Sequence, residues 1–122
     1  MPIIVASKNR YVSSVTPSAL NTETTVVEIT SQTDDYIVEG WIDLGNLASG
    51  DIVVVKEYVA IDGTNYRLYA NVTYSGAVDC PAIRFHAKTL LYNMKYKVTI
   101  TQTAGTIRSF PYGFIIEVLG TV

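Results

Sequence analysis

From residue 23 onward, apolar and polar residues alternate with a period close to two, which sends successive side chains to opposite faces of a strand. TTVVEIT (24–30) is one such run, stopped by the polar SQTDD, and YIVEGWIDL (36–44) is another, ended by Gly45-Asn46. DIVVVKEYVAI (51–61) begins apolar on both faces, which predicts a central strand. Asp62-Gly63 predicts a hairpin, through a four-residue loop, into YRLYANVTY (66–74). PAIRFHAK (81–88), MKYKVTITQT (94–103) and TIRSFPYGFIIEVL (106–119) complete the set. Pro111 has no amide to donate, which predicts an edge or a bulge at that point. The one helix candidate, KTLLYN, is too short to matter. Seven or eight strands, with turns about every ten residues, predict an all-β fold: an antiparallel two-sheet sandwich, jelly-roll or immunoglobulin-like.

Residues 1–22 read differently. Pro2 and Pro17 interrupt them, and Val12 to Ser18 are small or β-prone without sustained alternation. Two readings stay open: an extended arm ordered against a partner, or a first edge strand. The sandwich proper is expected over residues 23–122.

Composition narrows the function classes. The chain has 122 residues, 48% hydrophobic and 16% charged, enough for one domain with its own core and too apolar for a disordered chain. A net charge of −2 provides no basic field for nucleic acid. No secretory signal is visible, and no run approaches the ~18 apolar residues of a membrane span, so synthesis in the cytoplasm and no membrane partner are expected. Cys80 is the single cysteine, which excludes an internal disulfide. With His86 as the single histidine, it also excludes a zinc cluster, and Asp34-Asp35 lacks the oxygen spacing of a calcium loop. No cofactor is expected. Asn71-Val72-Thr73 matches a glycosylation sequon, read as accidental without a secretory signal.

Alternation sorts the candidate residues. It places Tyr66, Leu68, Ala70, Val72 and Tyr74 on one apolar face and Arg67, Tyr69, Asn71 and Thr73 on the other, which leaves Tyr69 outside with polar neighbours. Trp41, the sole tryptophan, shares its face with Ile37, Glu39 and Asp43. It reads either as an anchor of the core or of a subunit contact, or as a sugar-stacking ring beside carboxylates. In RFHAK the same alternation sets Arg84, His86 and Lys88 on one face, with Lys95 and Lys97 on a second solvent face nearby. Nine of the eleven carboxylates fall between Glu23 and Asp62, whereas residues 80–116 carry five cations and no carboxylate. That asymmetry suits electrostatic docking, head to tail or onto a charged partner, as well as it suits plain solvated faces.

Catalysis finds little support. A Ser-His-Asp or Cys-His arrangement would have to recruit His86, whose strand neighbours are cations that disfavour an imidazolium. Glycosidase chemistry could use Glu39 with Asp43 or Glu57, but carboxylates on a solvent-facing strand are commonly only solubilising.

The stretch GWIDLGNLASGDIVVVKEYVAIDGTNYRLYANVTYSG, followed by YKVTITQTAGTIRSFPYGFIIEV, resembles small all-β accessory structural proteins of tailed phages and archaeal viruses. The likeness runs over about three quarters of the chain and contains no catalytic motif. It implies a virion accessory role, such as capsid decoration or a minor structural protein, and it transfers no active-site residue. With it come the expected partners: further copies in a symmetric oligomer such as a trimer, and a larger protein assembly such as a capsid. The contact residues expected on this reading are Ile3, Ile4, Val5, Tyr11 and Val12 of the arm, then Trp41, Tyr69, Arg84, Lys95 and Lys97. A carbohydrate-binding module is the alternative, with Trp41, Arg67, Tyr69 and Asn71 as its site.

Overall fold

The computed structural model describes residues 2–121. Eight strands follow in chain order: β1 (Ile3–Val15), β2 (Thr24–Ile29), β3 (Tyr36–Asp43), β4 (Ile52–Ala60), β5 (Arg67–Ser75), β6 (Ala82–Leu90), β7 (Lys95–Ala104) and β8 (Phe110–Thr121). Among the described residues there is no helix, and KTLLYN is divided between the end of β6 and the turn after it.

One sheet has the order β1-β8-β3-β6 and the other β2-β7-β4-β5, and the ladders are antiparallel throughout. Each strand pairs with the one equally far from the opposite chain end: first with last, second with seventh, third with sixth, fourth with fifth. That nesting is a long antiparallel ribbon wrapped into two sheets, which makes the sandwich a jelly roll rather than immunoglobulin-like. Residues 3–15 form a strand along the outer edge of a sheet, paired with β8 over its whole length.

The core lies between the sheets. Tyr36, Val38 and Ile42 of β3 and Phe110, Phe114 and Ile116 of β8 face Val53 of β4 and Tyr96, Val98 and Ile100 of β7, all buried. The Tyr36 hydroxyl donates to the Met94 carbonyl at 2.7 Å, and burial pushes its pKa up to about 12. Pro111 sits in β8, an interior strand, which corrects the expected edge. The β3–β8 ladder ends at Tyr112, so the proline stands where β8 has a neighbour on one side only. The missing donor is tolerated for the same physical reason that an edge would tolerate it.

Candidate interaction face

Of several register shifts in the ladders, those in β5 and β6 decide where Tyr66, Tyr69 and Lys88 point. In β5 the register slips between Glu57 and Tyr58 of β4, leaving Tyr69 as the extra residue. In β6 it slips between Val38 and Gly40 of β3, so that His86 and Ala87 together oppose Glu39. A bulge sets two residues against one and therefore reverses the in–out pattern beyond it.

The reversal exchanges two tyrosines. Val72 and Tyr74 face inward opposite Val55 and Val53, as alternation predicts, and Tyr74 packs against the core. Past the bulge, Leu68 turns outward beside Tyr58 and is 55% exposed. Tyr66 lies outside with it, donating to Glu28 Oε2 at 2.7 Å. Tyr69 instead stands at the mouth between the sheets, with Lys88 Nζ 5.8 Å from its ring. The expected assignment of Tyr66 to the apolar face is thus corrected; Tyr69 leaves the side of Asn71, yet at 59% exposure it remains outside as expected.

The same correction applies to Lys88, which leaves the side of Arg84 and His86 and enters the gap between the sheets. Its Nζ lies 3.4 Å from Glu57 Oε1 and 4.8 Å from the ring centre of Tyr96, both side chains of the ion pair being 14% exposed. Tyr96 donates its hydroxyl to Glu57. Burial first, and then that hydrogen bond, push the phenol well above its ordinary pKa. Glu57 is consumed by this network inside the fold and shares no open surface with Glu39 or Asp43, which point outward from β3. Truncating Lys88 to methionine removes the cation and leaves the carboxylate short of a partner. The expected loss is about 2–4 kcal/mol in the free energy of unfolding, measured by urea titration at neutral pH.

The outer face of β2-β7-β4-β5 carries a polar cluster, with the exposed Leu68 beside it. Lys97 Nζ lies 5.0 Å and 4.4 Å from the ring centres of Tyr58 and Tyr66. Thr99 and Tyr58 both donate to Glu23 Oε2 at 2.6 Å, and the Thr99 bond first, then the Tyr58 bond, hold this carboxyl below its usual pKa. Lys97, expected as a contact residue, is therefore engaged within its own chain. Lys95 is half-buried on the same face, opposite Ala60.

The outer face of β1-β8-β3-β6 is different in kind. The register aligns Val12, Gly113, Trp41 and Arg84 in one row across the four strands, and Arg10, Ile115 and Glu39 in the next. Val12 is 75% and Trp41 52% exposed, and Ile3 and Val5 project from the far end of β1. Among the described residues nothing approaches a Cβ placed on Gly113, so a bare valley separates Val12 from Trp41. Hollows of about 460 and 330 Å³ flank the indole, one toward Pro111 and Ala82, the other toward Arg10 and Ile115. Arg84 lies 5.9 Å from the centre of the Trp41 ring system and 3.5 Å from Glu39 Oε2.

Of the expected contact residues, this face gathers Val5, Val12, Trp41 and Arg84, together with Ile3. Ile4 lies on β1 opposite Gly120, less exposed than its neighbours. Tyr11 is turned the other way and packs against the core, which corrects its expected role. Arg10, Gly113 and Ile115 were not among the expected residues, because the two rows they occupy depend on pairing between chain ends that no local pattern encodes. The alternative carbohydrate set is not brought together: Trp41 points out from one sheet, whereas Arg67, Tyr69 and Asn71 lie on the edge strand of the other.

No protein-family profile and no curated protein matches the chain. Two solved structures resemble its fold. The infectious bursal disease virus VP2 subviral particle aligns with a TM-score of 0.49 and 10% identity over 93% of this chain and 34% of its own. The T=1 particles derived from infectious bursal virus align with a TM-score of 0.49 and 17% identity over 96% of this chain and 31% of theirs. The chain thus spans about a third of the length of these two. Among the described residues, no three His, Cys, Asp or Glu side chains gather as metal ligands, and no helix is long and apolar enough to cross a membrane.

Proposed function

We propose that this chain is a non-enzymatic structural protein that assembles into or onto a larger particle through the outer face of β1-β8-β3-β6. One observation carries the reading: the sole tryptophan and Val12 stand exposed on a regular sheet face, beside a valley that no described side chain fills. The fold does not need them there, since the core between the sheets is complete without either. Tryptophan is the residue whose burial contributes most at protein contacts, and a bare floor beside it gives room for a partner's side chain. The resemblance of the strand sequences to viral accessory proteins favours a virion as that particle, with this chain as a decoration or minor structural protein.

Sedimentation velocity of the purified chain, at micromolar to submillimolar concentration, tests this reading. Assembly is expected for the unaltered chain and for Leu68→Ser, which removes an equally exposed apolar side chain from the other sheet. Trp41→Ser is expected to weaken assembly at least tenfold, a change of ~1.4 kcal/mol, while its melting temperature stays within a few degrees. An unaltered chain that remains monomeric throughout, or assembly indifferent to Trp41→Ser, would overturn the proposal.

A further inference from the structure

We infer that the occupant of this face is a second copy of the same chain, packed sheet to sheet about a two-fold axis running along β8 beside Gly113. This rests on the assembly role proposed above and goes beyond it by naming the partner and the pairing. A two-fold axis along β8 sets β1 of one copy against β3 of the other, row by row. In the first row, Val12 meets the partner's Trp41, and the valley at Gly113 faces its counterpart. In the second, Arg10 meets the partner's Glu39, and symmetry makes each contact twice.

Both shape and charge favour this axis. Stacked sheets lie roughly 10 Å apart, a gap that a large side chain opposite a small one fills better than two of equal size. The two bare glycines leave room on the axis into which the indoles can lean. Among the described residues Arg10 has no carboxylate within ion-pair distance, and Glu39 has only the half-exposed Arg84. Glu117, which the axis sets near its own copy, has Lys8 as its cross-strand neighbour.

Other two-fold arrangements fare worse. An axis across the strands would set Trp41 against Glu39 and Arg10 against Val12. Edge pairing of two β1 strands about Asn9 would oppose Lys8 and Arg10, a like-charge contact of the kind that edge strands use to avoid association.

Charge exchange tests the pairing. Arg10→Glu and Glu39→Arg alter side chains at the surface and are each expected to fold with an unchanged circular dichroism spectrum. Alone, each places like charges across the axis twice, and its self-association constant is expected to fall at least tenfold. Mixed in equal amounts, they are expected to form a heterodimer, because Glu at position 10 of one chain then meets Arg at position 39 of the other, and Arg10 meets Glu39. Sedimentation velocity of the two singles and of the mixture reads the result. Two folded variants that fail to associate on mixing, or singles that dimerise like the unaltered chain, overturn the two-fold pairing. If Trp41→Ser still blocks assembly in that case, the face survives and only the partner geometry falls. If Trp41→Ser has no effect, the face itself is wrong.

Discussion

Asp51→Asn is expected to lower the melting temperature by roughly 10 °C at neutral pH and to flatten the acid limb of the stability curve. Asp51 is 1% exposed and acts as a hub between the β3–β4 and β7–β8 connections. Its carboxylate accepts from Arg108 Nε at 2.7 Å, from the Ala48 amide at 2.9 Å and from the Thr106 amide at 3.0 Å. The Arg108 bond foremost, then the Ala48 amide, hold its pKa below the ordinary 3.8. A carboxylate depressed on folding contributes stability that is fully present above its unfolded value and disappears as pH falls through the folded one. The unaltered chain should therefore lose this stability below about pH 4, whereas the amide variant loses it at every pH. Thermal melts from pH 2 to 7 check both halves. Gly105 belongs to the same hub. Its φ is +88°, and a Cβ there would collide with Asp51 Oδ1, so only glycine lets the turn close over the carboxylate.

Phe114→Ala is expected to cost about 3–5 kcal/mol, a large share of the stability of a domain this size. The ring is 2% exposed, 5.1 Å from Phe85 and 6.2 Å from Tyr112 between ring centres, and it covers Gly40, where a Cβ would overlap it. Ile115, one residue further on, faces outward in the Arg10–Glu39 row, and Ile115→Ala should cost less than about 1 kcal/mol. Urea titration of both variants separates the two faces of β8. A large loss at both positions would mean that Ile115 is part of the core.

β2 to β8 were legible because their residues alternate over lengths long enough to dominate any local irregularity. Trp41 was only partly legible, since the mixed face it shares with Ile37, Glu39 and Asp43 left a core anchor, a subunit contact and a sugar-stacking ring all open. β1 was ambiguous for a physical reason: its inward positions include Ser7, Asn9 and Ser13, so no apolar stripe marks it as a strand. Its place in the sandwich depends on pairing with β8, which lies at the opposite end of the chain. The bulges at Tyr69 and at His86-Ala87 left no mark in composition, yet each reversed a face. They moved Tyr66 outward and carried Tyr69 and Lys88 to the mouth between the sheets. The row that joins Val12, Gly113 and Trp41 exists only once β8 lies between β1 and β3. A face built across three strands, such as the proposed contact, cannot be read from any one of them.

The depth of β1 in the fold also bears on how the face should be probed. Deleting residues 1–20 would strip β8 of a ladder and remove Tyr11 and Val15 from the core, so a loss of assembly would report unfolding. Single outward substitutions leave the core intact.

Trp41 offers the most direct measurement, because it is the only tryptophan and its fluorescence belongs to the proposed contact alone. Acrylamide quenching should be efficient in dilute solution, as a half-exposed indole requires. As concentration rises and sedimentation shows larger species, quenching should fall and emission should shift to shorter wavelength. Larger species that form while the indole stays as quenchable as in the monomer would contradict the account.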